Sequence, residues 1–150
     1  MTATPKAARA WFDGGARGNP GDAGFGLIVE SDGAVEEIGG FLGRTTNNVA
    51  EYTGLLAALT WAQRNGIADL TVFGDSELVV KQLQGAYKVK APHLVPMFLK
   101  VLALRRAIPR VRIEHVPRAQ NARADKLANR AIDERLPVPE WLRPALAAAS

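Results

Sequence analysis

At 150 residues the chain matches one ordinary domain, able to bury roughly 70% of its unfolded surface without a disulfide staple. Its 47% hydrophobic and 23% charged residues are those of a soluble globular protein, and the absence of cysteine excludes disulfide frameworks, thiolate zinc sites and cysteine nucleophiles. The net charge of +4 divides unevenly, −4 over residues 1–75 and +8 over 76–150, which suggests a polyanion held by one surface while carboxylates serve another purpose; an ordinary basic surface is the plainer reading.

No apolar run approaches the ~18 residues of a membrane span, and Met1-Thr2-Ala3-Thr4-Pro5-Lys6 lacks the apolar core of a signal peptide. The expectation is a cytoplasmic protein without a membrane partner. Ala8-Arg9-Ala10-Trp11-Phe12 reads as a strand stopped by a flexible turn at Asp13-Gly14-Gly15. Gly24–Val29 and Val35–Leu42 flank Glu30-Ser31-Asp32-Gly33-Ala34, whose Asp-Gly is a hairpin signal, so three antiparallel strands open the protein. From about Val49 to Asn65 the period becomes helical, with Tyr52, Leu55, Leu56, Leu59 and Ala62 on one stripe. Leu70-Thr71-Val72-Phe73 reads as a strand buried on both faces, followed by a helix from Ser76 to about Gln84 that Gly85 stops. A helix over about Pro92–Ala107, an alternating strand over Val111–Val116 and a helix from Asn121 to about Arg135 complete the pattern. Residues 136–150, with three prolines and an alanine run, read as a loosely packed extension or linker stump beyond a 1–135 domain. Trp11 and Trp61 read as core, and the role of Trp141 is open.

A right-handed crossover from the third strand can bring the fourth beside the first, so that the carboxyl ends of strands one and four meet, where open α/β sheets bind ligands. Asp13 and Asp75 end those strands. Each has an ordinary explanation: Asp before Gly-Gly is turn chemistry, and Asp75 or Ser76 suits a helix N-cap. Asn48-Val49-Ala50-Glu51 resembles a capping box, and Asp125 near the start of the last helix suits its dipole. Their convergence on one pole of the sheet carries more weight. At about 4 Å and an effective dielectric of about 20, each like-charged pair costs on the order of 4 kcal/mol, so such a cluster demands protons or divalent cations. Hard oxygen ligands select Mg²⁺ or Mn²⁺, the setting for in-line displacement at phosphorus.

Four segments, Asp13-Gly14-Gly15-Ala16-Arg17-Gly18-Asn19-Pro20-Gly21, Thr45-Thr46-Asn47-Asn48-Val49-Ala50-Glu51, Gly74-Asp75-Ser76 and Asn121-Ala122-Arg123-Ala124-Asp125, together resemble type 1 ribonuclease H, in that family's order and over residues 8–134. The resemblance implies an α/β ribonuclease H-like fold, a five-stranded mixed sheet of order 3-2-1-4-5 with helices on both faces. It also implies an endonuclease that cuts the RNA strand of RNA–DNA hybrids with two Mg²⁺ or Mn²⁺ ions, leaving 5′-phosphate and 3′-hydroxyl ends. Asp13, Glu51, Asp75 and Asp125 match the metal-ligating acids; Gly14, Gly15, Asn19, Thr46, Asn47, Asn48 and Ser76 match substrate contacts. Amides and hydroxyls suit the 2′-hydroxyl that separates RNA from DNA.

The chain departs from the resemblance twice. Many members carry a mobile His before the last helix, where this loop reads Pro117-Arg118-Ala119-Gln120-Asn121. Arg118 in that place can contact the scissile phosphate or aid product release but cannot shuttle protons near neutrality; His115, three residues earlier, reads as structural. Some members also insert a basic protrusion between the middle helices, where this chain has only Gly85-Ala86-Tyr87-Lys88-Val89-Lys90-Ala91-Pro92. Modest hybrid affinity with shallow salt dependence is therefore expected. The alternatives are a non-catalytic hybrid- or double-stranded-RNA-binding module and a structure-selective DNA nuclease of the same fold. A monomer is the default, and no dinucleotide, P-loop or nucleophile-elbow motif occurs.

Overall fold

The computed structural model describes residues 5–149; residues 1–4 of the N-terminal stretch that lacks a signal-peptide core lie outside the described residues. One sheet runs in the order β3-β2-β1-β4-β5, as expected. Strands β1 (Ala7–Arg17), β2 (Gly21–Ser31) and β3 (Ala34–Thr45) form an antiparallel meander, and β4 (Asp69–Gly74) and β5 (Arg110–His115) add in parallel to β1. The β2–β3 turn is the two-residue hairpin its Asp-Gly implies, with φ of 53° at Asp32 and 77° at Gly33, both positive as a type I′ turn requires. Helices α1 (Asn47–Arg64), α2 (Glu77–Leu83), α3 (Val95–Ala107), α4 (Ala122–Asp133) and α5 (Arg143–Ala148) complete the chain. On one face α1 packs on β1 and β2 with α3 behind it; on the other, α4 packs on β2, β3 and β1.

Helix α1 is the centre of the core, buried continuously from Tyr52 to Ala62 rather than along one stripe. Its buried hydroxyls remain satisfied, since Thr53 and Thr60 donate to the carbonyl oxygens of Val49 and Leu56, each at 2.7 Å. The alternation of β1 puts Ala8, Ala10 and Phe12 against that helix. Two readings are corrected by the same alternation. Trp11 faces the opposite way, half-buried and stacked on Phe73 at 5.2 Å, while Trp61 is in the core as expected. Strand β4 is likewise buried on one face, through Leu70, Val72 and Gly74, and only partly covered on the other.

The C-terminal segment corrects a further expectation. It is packed: Leu142 is fully buried, Ala145 and Ala149 join the main core, and the Phe41 N–H donates to the Leu136 carbonyl at 2.7 Å. Trp141 lies under the Arg64 guanidinium, 5.9 Å from its ring centre. The small side chains that suggested a linker are what allow α5 to lie close against α1 and α3. Leu142→Ala is expected to destabilise the protein by about 2–5 kcal/mol, read as a lower urea midpoint; an unchanged midpoint would restore the picture of a loose tail. Among the described residues no helix is long and apolar enough to cross a membrane.

Candidate active site

Strands β1 and β4 stay paired as far as Phe12 and Gly74, so the next residue of each is a carboxylate, Asp13 and Asp75. Asp13-Gly14-Gly15 does not turn there. It continues in register with β2, Asp13 opposite Gly26 and Gly14 opposite Phe25. The need for glycine comes from helix packing instead: a Cβ on Gly14 would lie 2.3 Å from the Ala50 carbonyl carbon and 2.5 Å from the Glu51 nitrogen. A Cβ on Gly26 would lie 2.4 Å from the Ala124 oxygen. These two bare positions let α1 bring Glu51, and α4 bring Asp125, against opposite faces of the sheet beside Asp13.

The caps leave the acids uncommitted. Thr46, not Asn48, caps α1, its Oγ1 accepting from the Val49 N–H at 3.2 Å, so Glu51 closes no capping box. Ser76 caps α2 by accepting from Val79 N–H at 3.3 Å, so Asp75 is not the cap. All four acids line one cavity of about 350 Å³, together with Gly14, Gly15, Asn47 and Arg118. Asn19, Thr46, Asn48 and Ser76 do not line it. Asn19 supports its edge: Asn19 Oδ1 accepts from the Asn47 N–H at 3.0 Å, and Asn47 Oδ1 accepts from the Ala16 N–H at 2.7 Å. Among the partners that line the cavity, sequence reasoning missed Arg17 and Asn129 as site residues; the helical spacing of Asn129, four after Asp125, was the available signal. His115 ends β5, exposed and outside the cavity, as do Lys88 and Lys90 in the short loop.

Burial pushes the Asp13 carboxyl up to about 8, helped by its hydrogen bond with Asp125 and the charge of Asp75 and opposed by the Gly14 N–H. Burial likewise raises Glu51 to about 7, with Ser76 opposing and Asp75 adding. One Glu51 oxygen, Oε2, is buried without a hydrogen-bond partner. Among the described residues no three acid or histidine side chains stand close enough to form a preassembled ligand cluster. An all-oxygen set with an orphaned carboxylate oxygen and raised proton affinity nonetheless fits a hard divalent cation, Mg²⁺ or Mn²⁺.

These shifts set a pH dependence. Both acids hold protons in the folded chain that the unfolded chain releases above the ordinary carboxylate range, so in that window the unfolded state binds fewer protons and stability must fall as pH rises. With chelator present, the thermal midpoint is expected to be highest near pH 5 and to decline through about 7 and about 8. Asp13→Asn should flatten the upper part of that decline. A wild-type midpoint that rises between pH 5 and 9 would contradict the burial of these groups.

A family model described as reverse transcriptase-like matches residues 11–131. The Ribonuclease HI of Halobacterium salinarum is 46% identical over 127 residues, covering 83% of this chain and 64% of that protein. The bifunctional protein Rv2228c of Mycobacterium tuberculosis is 46% identical over 124 residues, and the matched part is 81% of this chain but only 34% of that longer protein. The solved N-terminal RNase H domain of Rv2228c superposes with a TM-score of 0.82 at 40% identity, covering 97% of this chain and 99% of that one. LC11-RNase H1, solved in complex with an RNA/DNA hybrid, gives a TM-score of 0.79 at 43% identity, over 85% of this chain and 97% of that one.

Proposed function

The chain belongs to the reverse transcriptase-like family, of ribonuclease H type, and from that premise we propose that it is an endonuclease hydrolysing the RNA strand of RNA–DNA hybrids. The observation that carries this reading is the convergence of Asp13, Glu51, Asp75 and Asp125 on one cavity, two of them with proton affinity raised by burial and one with an orphaned oxygen. The ribonuclease H family is divalent-metal dependent in general, and the four acids are the residues that would hold two such cations. When bound, the cations supply a water nucleophile active at neutral pH and stabilise the leaving 3′ oxygen, giving 5′-phosphate and 3′-hydroxyl ends.

The protein's own contribution is placement. Asp13 and Asp75 are fixed by the last β1–β4 pair and Glu51 by the start of α1, so the carboxylates keep their spacing while substrate enters. Arg118, on the cavity wall, meets the scissile phosphate as a permanent cation. Gly14, Gly15, Asn19, Thr46, Asn47, Asn48 and Ser76 form the surface for the RNA sugar edge, with Asn19 and Asn47 braced against each other. The catalytic unit is residues 1–135, followed by the C-terminal extension 136–150, acting as a monomer in the reducing cytoplasm that a cysteine-free chain suits.

The test is cleavage of an end-labelled RNA–DNA hybrid beside duplex DNA, duplex RNA and single-stranded RNA, each with Mg²⁺, Mn²⁺ or chelator. Metal-dependent cuts confined to the RNA strand of the hybrid are expected. A hybrid that binds but is not cut under any metal would make this a binding module, and cuts in DNA alone would make it a DNA nuclease.

A further inference from the structure

Arg17 and Asn129 line the acid cavity, and their contacts form a chain that ends on Asp125. Arg17 is the last residue of β1 and reaches across to α4. Its Nη1 donates to Asp133 Oδ1, and its Nη2 donates to Asn129 Oδ1 at 3.4 Å and to the Asn129 carbonyl at 3.5 Å. Asn129, one turn beyond Asp125, donates through Nδ2 to the Asp125 carbonyl at 3.1 Å and to Asp125 Oδ1 at 3.5 Å. The order of these bonds is dictated by chemistry. A guanidinium has donors and no acceptor, so the amide must turn its oxygen to Arg17, which leaves its NH₂ for Asp125. Asp125 thus stands on the cavity wall it shares with Asp13, held from behind by Asn129.

We propose that Asn129, oriented by Arg17, is a positioning residue for the Asp125 carboxylate and sets the affinity for divalent cation on the Asp13–Asp125 side of the cavity. The inference rests on the assignment of the four acids as the cation site. A carboxylate committed on one oxygen to a fixed donor presents its remaining lone pairs in a fixed direction, and removal of such outer partners from metal sites typically costs about 10–100-fold in affinity. The exposed position and long bond place this one at the lower end of that range.

A purely structural role predicts something else. Asparagine often bonds back to the carbonyl four residues earlier in a helix, and the Arg17–Asp133 pair alone would clamp β1 to α4. Either would change thermal stability without changing metal affinity. Electrostatics also predicts the opposite sign for Arg17, since removal of a cation beside the site would tighten divalent binding.

The experiment is calorimetric titration of the full chain with Mn²⁺ in the absence of nucleic acid, on the wild type, Asn129→Ala, Arg17→Met, the double variant and Asp125→Asn. Alanine at exposed position 129 favours the helix, so that variant folds. Asn129→Ala is expected to weaken Mn²⁺ binding about tenfold, Arg17→Met to weaken it by no more than that, and the double variant to match Asn129→Ala alone. In hybrid cleavage the half-saturating Mn²⁺ concentration should rise in step while KM for the hybrid stays constant. Weakened binding in Asp125→Asn with none in Asn129→Ala would overturn the inference alone, as would additive losses in the double variant or tighter binding in Arg17→Met. Unchanged binding in both Asp125→Asn and Asn129→Ala would sink the acid-site assignment and the inference with it.

Discussion

Asp75→Asn is expected to lower hybrid cleavage by at least about a thousandfold, measured in a single turnover, while the metal-free protein becomes no less stable and gains stability at pH 8. The two halves of this result have one cause. Asp75 follows the last β1–β4 pair, and its charge helps raise the proton affinity of both Asp13 and Glu51. As a nearly isosteric amide, asparagine removes that repulsion, so the folded state loses an electrostatic cost that grows with pH. The same change takes a negative ligand from a site whose chemistry depends on concentrating positive charge around the scissile phosphate, an effect of several kcal/mol, or about three decades in rate. Cleavage kinetics together with the urea midpoint in chelator test both halves. Undiminished cleavage would remove Asp75 from the site, and a loss of activity accompanied by lower metal-free stability would mean that the variant damages the fold instead of the chemistry.

The strand order was legible largely from short-range signals, whereas Glu51 and Asp125 were matched as site residues through the resemblance of their segments to ribonuclease H. Asp32-Gly33 fixes a hairpin whatever surrounds it, and the helical stripe after Val49 and the breaks at Gly66 and Gly85 place the crossovers. Given that order, the ends of β1 and β4 must meet, and with them Asp13 and Asp75. What sequence concealed were distances that depend on tertiary approach. Asp13-Gly14-Gly15 has the composition of a turn, and only the proximity of Ala50 shows that Gly14 is a strand residue whose side chain has no room. Trp11 sits in an apolar run, yet the pleat points it away from α1 to the α4 side, where it is only partly covered beside Ile28, Ala124 and Leu127. The cap of α1 moved from Asn48 to Thr46 because either could supply an oxygen and the pairing of Asn19 with the Asn47 N–H decides where the helix begins. Leu142 gave no local sign of burial, since three prolines and a run of alanines describe a linker and a closely packed cap equally well.

Gly14→Ala carries the second large effect and tests how α1 is held to the sheet. The added methyl would meet backbone atoms, at 2.3 Å from the carbonyl carbon and oxygen of Ala50 and 2.5 Å from the nitrogen of Glu51. No rotamer change relieves a clash with backbone, so either β1 or the first turn of α1 must move, at a cost of about 3 kcal/mol or more. For a protein of this length that corresponds to a fall of roughly 6–12 °C in Tm. The displacement acts on the site directly, because the atoms struck belong to Glu51 and its neighbour, and a shift of about 1 Å at a catalytic group can cost about a hundredfold in rate. Gly15→Ala is the control: its methyl would find only Asn47 Oδ1, at 3.8 Å, an ordinary contact. That variant should keep the wild-type Tm, so any rise in its KM for the hybrid would report the approach of substrate and not the packing of α1. If Gly14→Ala melts with the wild type, the close contact between β1 and α1 is not what fixes Glu51 beside Asp13, and the spacing of the acids must be set from the α4 side, where Gly26 makes the corresponding approach to Ala124.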